Sequence, residues 1–259
     1  MNMGGQRANN EDNLYFNGVF LTAETREQPA NVETVCKDRR QVYAVCDGMG
    51  GEEMGELASL ITVETLHKYA GPLKDTADGD MDAQLEKFIH EANLMICEAQ
   101  RNAGTSRIGT TLAMVAADGG DAHLYNIGDS RIYLLRGGKL EQLSEDHTAV
   151  TRSVKLGILT PEQAKTHPHR NRLTQYVGID ETEMIIEPYK ISLKMKNKDI
   201  FLLCSDGLTD MVDEPEIARI LNKTGKPSEA ARQLVEAALL REGKDNITVI
   251  ILKYHRKIW

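Results

Sequence analysis

The run RIYLLRGGKLEQL, residues 131–143, decides the fold. Its halves are rich in strand-forming residues and meet at Gly137 and Gly138, a pair that signals a tight hairpin between antiparallel strands. Further runs of the same kind are LYFNGVFL (14–21), QVYAVC (41–46), TLAMVAA (111–117), AHLYNIG (122–128), EMIIEPYKISL (183–193), DIFLLC (199–204) and ITVIILKY (247–254). Helical periodicity is clear in three places. Met54, Leu57 and Ile61 make one stripe, and Leu85, Phe88, Ile89, Ala92, Ile96 and Ala99 a longer one. Pro227 and Ser228 open a third, with Ala231, Leu234, Val235, Ala238 and Leu239 on its face. Strands come in consecutive runs and helices are grouped, which predicts an α+β fold with antiparallel sheets and argues against a doubly wound parallel sheet.

No Pro- or Ser-rich linker, repeat or low-complexity tract divides the 259 residues, so a single domain over residues 1–259 is expected. A net charge of -8 argues against nucleic acid or an anionic membrane as partner, although bound metal ions can reverse the local sign. Cys36, Cys46, Cys97 and Cys204 form no C-x-x-C pair and read as reduced structural thiols of a cytosolic protein. The start, MNMGGQRANNEDNL, lacks the apolar core of a signal peptide, and no stretch reaches the roughly twenty apolar residues that span a bilayer. A soluble, cytoplasmic protein is expected. With KYHRKIW following directly on the last strand run, no regulatory domain or anchor is expected. DGDMD (78–82) alternates carboxylates like a calcium loop, but its sixth position is Ala83 and its twelfth Ile89, where such a loop needs Gly and Glu. It reads as a solvated loop before a helix.

Four times an aspartate ends or interrupts an apolar run beside Gly or a small polar residue: AVCDGMGG (Asp47), YNIGDSRIY (Asp129), FLLCSDGLTD (Asp206) and GKDNITVII (Asp245). Each alone reads as a turn former. Four together at strand ends are another matter, because two like charges near 4 Å cost roughly 4 kcal/mol at an effective dielectric of about 20. Such a cluster is either dispersed or holds cations. All-oxygen donors suit magnesium, manganese or calcium, and the histidines lack the spacing zinc would want. Two divalent ions can lower the pKa of a bound water and present hydroxide to phosphorus. Arg7, a few residues before Glu11 and Asp12, offers a planar fork for phosphate oxygens.

Seven ordered blocks now carry a resemblance: RANNED (7–12), DGMGG (47–51), GTT (109–111), IGDSRIY (127–133), EDHT (145–148), SDGLTD (205–210) and DNITVI (245–250). Together they resemble the metal-dependent protein phosphatase 2C family, and most of all its bacterial serine/threonine phosphatase branch. The resemblance runs from residue 7 to residue 250 and implies a four-layer αββα sandwich of two antiparallel sheets flanked by antiparallel helices. It implies two catalytic Mn2+ or Mg2+ ions bridged by Asp47, with the Gly48 carbonyl at one of them and Asp206 and Asp245 completing the other. Glu11 and Asp12 would act near the second ion through bound waters, and Asp129 with Asp206 would hold a third, weaker one. Arg7 matches the phosphate-binding arginine, and Asn246 stands beside the last ligand with its role open.

The animal members have a histidine, able to protonate the leaving group, where this chain has Met49; methionine cannot be a general acid, so the proton must come from elsewhere. His147 in EDHT reads as structural. Residues 149–180 match a flap beside the site, and the Lys-, Arg- and His-rich composition there includes His167 and His169, which read as surface residues within reach of a phosphopeptide. The function implied is hydrolysis of phosphoserine and phosphothreonine in proteins by direct attack of a metal-bridging hydroxide. Its partners would be phosphorylated proteins made by a serine/threonine kinase, its role signal transduction and its state monomeric. A phosphoprotein-binding pseudophosphatase and a small-molecule phosphoesterase are the alternatives; the first would require lost ligands, and Asp47, Asp206 and Asp245 are all present.

Overall fold

A computed structural model describes residues 1–25, 30–50, 54–75, 81–104 and 108–256. Gly51 of the DGMGG block, residues 78–80 of the calcium-like run and the last three residues of KYHRKIW lie outside the described residues. In chain order the elements begin with β1 (Asp12–Phe16), β2 (Val19–Phe20), β3 (Arg40–Met49), α1 (Gly55–Asp75), α2 (Met81–Ala103), β4 (Gly109–Thr110), β5 (Leu112–Asp118), β6 (Asp121–Ile127), β7 (Arg131–Arg136) and β8 (Lys139–Gln142). They continue with α3 (Ala149–Lys155), α4 (Pro161–Lys165), β9 (Tyr189–Lys194), β10 (Ile200–Cys204), α5 (Asp206–Thr209), α6 (Glu214–Lys223), α7 (Pro227–Leu239) and β11 (Val249–Lys253).

The expected hairpin is present: β7 and β8 pair antiparallel around Gly137 and Gly138, whose φ angles are 58° and 84°. It sits in a four-stranded sheet of order β11-β10-β7-β8. A seven-stranded sheet of order β2-β1-β3-β5-β6-β9, with β4 added beside β3, faces it. Every pairing is antiparallel.

Period-two alternation sorts the strand residues into three cores, which makes the layers. Val42, Ala44 and Cys46 of β3 join Leu112, Met114 and Ala116 of β5 under α1 and α2. Tyr43, Val45, Ala113 and Val115 meet Ile132, Leu134, Phe201, Leu203 and Ile250 between the sheets. Tyr133, Leu135, Leu202 and Cys204 lie under Ile217, Leu221, Leu234 and Ala238 of α6 and α7. The architecture is therefore helices, sheet, sheet, helices, the α+β four-layer sandwich expected.

Three expectations need correction. LYFNGVFL is not one strand: Asn17 and Gly18, at φ 48° and 108°, reverse the chain so that Phe16 pairs with Val19. EMIIEPYKISL is a strand only from Tyr189, since Pro188 has no N–H to give a ladder. Helix α1 forms as predicted but is turned by about one residue. Met54 and Ile61 pack only partly against the core, whereas Ala58, Thr62, Thr65 and Leu66 are fully buried. The threonines tolerate burial because their hydroxyls donate back to the carbonyls of Ala58 and Ile61 at 2.9 and 2.7 Å. Among the described residues no helix is long and apolar enough to cross a membrane.

Candidate metal centre

The aspartates stand at one end of the sandwich because antiparallel strands deliver alternate termini to the same edge. Asp47 lies in β3, opposite Asp12 of β1 in register. Asp129 follows β6, Asp206 follows β10 as the first residue of α5, and Asp245 precedes β11. Tyr43 and Val45 face the second sheet, and the same alternation turns Asp47 toward it.

The carboxyl groups of Asp12, Asp47, Asp129 and Asp206 are all pushed up, by burial first. Burial, then Asp12, Asp206, Asp129 and Asp245, push the Asp47 carboxyl well above the usual range. Burial, then Asp129, Asp245, Asp210 and Asp12, do the same to Asp206. Burial pushes Asp12 up to about 6, against the hydrogen bonds it accepts from Thr248 and Ser205. Asp129 is pushed up to about 7, by burial first and Asp146 next. Glu11 is raised by burial and lowered by Arg7.

The backbone that carries these groups is tightly bound. Asp47 N–H is donated to the Thr111 hydroxyl at 2.9 Å, and the Asp47 carbonyl accepts from Thr111 N–H and the Thr110 hydroxyl, both at 2.9 Å. Gly48 is dictated by backbone crowding: a Cβ there would stand 2.1 Å from the Gly55 carbonyl oxygen and 2.6 Å from that of Glu11. The space beside this glycine belongs to the start of α1, a packing reason in addition to the close approach expected of the loop. Met49 packs with its Cε beside Gly109, next to the Tyr176 ring at the base of the flap.

Asn246, whose role the sequence left open, staples the N-terminal segment. Its Oδ1 accepts from Glu11 N–H at 2.7 Å, and its Nδ2 donates to the carbonyls of Met3 and Asn9 at 2.9 and 3.0 Å. Arg7 is thereby brought to the site, where its Nη2 donates to Asp245 Oδ2 at 2.6 Å. His147 donates its N–H to the Gly128 carbonyl at 2.9 Å, and its ring Nδ1 accepts from Gly128 N–H at 3.3 Å, clasping the turn before Asp129. The flap contains α3 and α4 and returns through bridges from Thr148 to Leu173 and from Thr110 to Val177. Arg170 reaches from it to Asp210 at 2.8 Å. His167 and His169 are not gathered with the carboxylates; their rings lie tilted against each other, centroids 5.6 Å apart, at exposed or half-buried positions. A surface hollow of about 450 Å3, lined by Asp210, Met211, Arg241 and Lys244 among others, flanks the carboxylate end.

Sequence reasoning passed over Ser205 and Thr248. Both hydroxyls donate to Asp12 Oδ2, at 2.8 and 2.6 Å, while Asp12 Oδ1 is buried with no partner among the described residues. Their place inside the SDGLTD and DNITVI blocks was the available signal.

The donor chemistry fits a hard divalent cation. Every donor is oxygen, neighbouring aspartates raise the Asp47 and Asp206 carboxyls, and Asp12 Oδ1 is buried without a partner among the described residues. Among the described residues no three His, Cys, Asp or Glu side chains close around a single point; Asp245 is turned to Arg7 and Asp12 to the two hydroxyls.

The profile of the Protein phosphatase 2C family matches residues 30–241. The serine/threonine protein phosphatase PstP of Mycobacterium tuberculosis is 34% identical over 246 residues, 95% of this chain, and the chain spans only 42% of that protein's length. The serine/threonine phosphatase Stp of Listeria innocua is 33% identical over 258 residues, covering 96% of this chain and 92% of that one. A crystal structure of the catalytic domain of PstP in complex with two manganese ions superposes with a TM-score of 0.76 at 31% identity, over 96% of this chain and 94% of that one. A profile match over most of the sequence, joined to a relative of nearly equal length, leads to one assignment: the chain belongs to the protein phosphatase 2C family.

Proposed function

We propose that this chain is a metal-dependent protein serine/threonine phosphatase acting on phosphoserine and phosphothreonine. The observation that carries the reading is the convergence of Asp12, Asp47, Asp129, Asp206 and Asp245, from both sheets, at one end of the sandwich, where burial and neighbouring aspartates push the Asp47 and Asp206 carboxyls up. A dianionic phosphate monoester enters such a place only with cations present. Asp47, the Gly48 carbonyl, Asp206 and Asp245 would hold two Mn2+ or Mg2+ ions. Glu11 and Asp12 would act through solvent, and Asp129 with Asp206 would take a weaker third ion. When bound, the ions supply an activated water and neutralise charge on the phosphate.

The chain's own residues orient and exclude. Arg7 presents a planar fork, already beside Asp245, to two phosphate oxygens. Met49 gives no proton, and His147 lends its Nδ1 to the Gly128 turn while burial disfavours its imidazolium, so in this reading the proton for the departing serine or threonine oxygen comes from elsewhere. The hollow at Asp210 and Lys244 offers both signs of charge to the peptide around the phosphoresidue. In this reading the protein is a single-domain cytoplasmic monomer that opposes a serine/threonine kinase.

The test is phosphate release from phosphoserine and phosphothreonine peptides with Mn2+, against a chelator control and a nucleoside monophosphate. Manganese-dependent release that favours the peptides is expected. Peptide binding without release would make it a pseudophosphatase, and preference for the nucleotide a small-molecule phosphoesterase.

A further inference from the structure

We propose that Ser205 and Thr248 are positioning residues for the reaction, whose hydroxyls occupy one oxygen of Asp12 and so leave the other for the metal side of the site. The proposal rests on the reading of the site as a phosphatase metal centre. Asp12 belongs to the first sheet, whereas Ser205 and Thr248 flank β10 and β11 of the second, so the contact is made across the sandwich.

The direction of each hydrogen bond follows from proton counting. Ser205 Oγ accepts from Thr248 N–H at 3.0 Å, which leaves its single proton to be donated. Two acceptors are in range, Asp12 Oδ2 at 2.8 Å and the Asn246 carbonyl at 3.5 Å, and the carboxylate takes it by distance and charge. Thr248 Oγ1 lies 2.6 Å from the same oxygen. A reciprocal bond from Ser205 N–H to the Thr248 carbonyl at 3.1 Å fixes the two residues against each other.

Asp12 Oδ2 thus receives two hydroxyl protons, and the carboxylate cannot rotate without losing both. Oδ1 is left, buried and without a partner among the described residues. Asp12 opposes Asp47 in register, so this oxygen belongs to the carboxylate end of the sandwich. A purely structural staple would use the second oxygen as well or expose it to bulk water. A lever that aims one oxygen leaves it as found here.

Manganese titration calorimetry on the full chain tests this, with circular dichroism to monitor folding and phosphopeptide kinetics alongside. Thr248→Val keeps the shape and removes the donor; Ser205→Ala removes the other; Thr248→Ser restores a hydroxyl. The valine and alanine variants are expected to bind Mn2+ roughly 10- to 100-fold more weakly, the usual cost of losing a residue that orients a metal-site group, with the serine variant within about threefold of wild type. Their kcat should fall while KM for the phosphopeptide holds. Wild-type manganese binding by a folded Thr248→Val, or a serine variant as weak as the valine one, overturns the proposal. If Thr248→Val does not fold, Ser205→Ala decides by the same thresholds, and failure of both to fold assigns the hydroxyls to stability alone. A wild-type chain that binds no Mn2+ overturns the underlying reading of the site instead.

Discussion

Replacing Arg7 by alanine should move metal binding and phosphate binding in opposite directions. Arg7 Nη2 lies 2.6 Å from Asp245 Oδ2, with the two side chains 45% and 34% exposed. An ion pair this open to solvent is worth about 0.2–1 kcal/mol. A cation that takes the Asp245 carboxylate must displace the guanidinium, so the alanine variant should bind Mn2+ up to about fivefold more tightly. The phosphate loses a charge-assisted partner, worth about 1.5–3 kcal/mol, which raises KM for a phosphopeptide about 10- to 150-fold. Calorimetry with Mn2+ and steady-state kinetics at saturating metal read the two effects separately. Weaker manganese binding by the variant, or an unchanged KM, would refute the competition for Asp245 or the phosphate role respectively.

Two further outcomes are expected. Gly48→Ala places a methyl 2.1 Å from the Gly55 carbonyl oxygen, and since both crowding groups are backbone, about 3 kcal/mol or more should be lost, a fall in Tm on the order of 6–12 °C by thermal melts; a Tm within about 2 °C of wild type would contradict the packing argument. Mn2+ should raise Tm more at pH 8 than at pH 5. Asp12 and Asp129 titrate near 6 and 7 in the fold against an ordinary 3.8, so the stability they contribute without metal is complete below about pH 4 and lost as pH rises through 6 and 7. Cations replace those protons only above that window, and an increment in Tm that is flat across pH would contradict the cluster.

The fold was legible wherever one strand or helix carried its own pattern. The stripe of Leu85, Phe88, Ile89, Ala92 and Ile96 became the buried face of α2, and the glycine pair at 137–138 became the turn of a hairpin. Errors arose where polar residues satisfied themselves locally. The buried threonines of α1 resembled a solvent face, and Asn17-Gly18 was hidden inside an apolar run. Helix α6 went unread although Asp213 caps it and Pro215 stands in its first turn, because only Ile217, Ile220 and Leu221 mark its buried side. At the site, Asp47, Asp129, Asp206 and Asp245 were visible as carboxylates ending apolar runs. Ser205 and Thr248 were not, since their meaning depends on a partner 193 and 236 residues away across two sheets. No periodicity encodes that distance.

The central claim is that the carboxylate end of the sandwich is a metal centre for phosphate hydrolysis with Asp47 shared between its ions. Asp47→Asn keeps the side chain's size and removes the charge that four other aspartates surround. Manganese titration of this variant, paired with turnover of an aryl phosphate, is the most direct test. The account predicts a folded protein with manganese binding and metal-dependent turnover abolished, and near-normal binding and turnover in Asp47→Asn would contradict it.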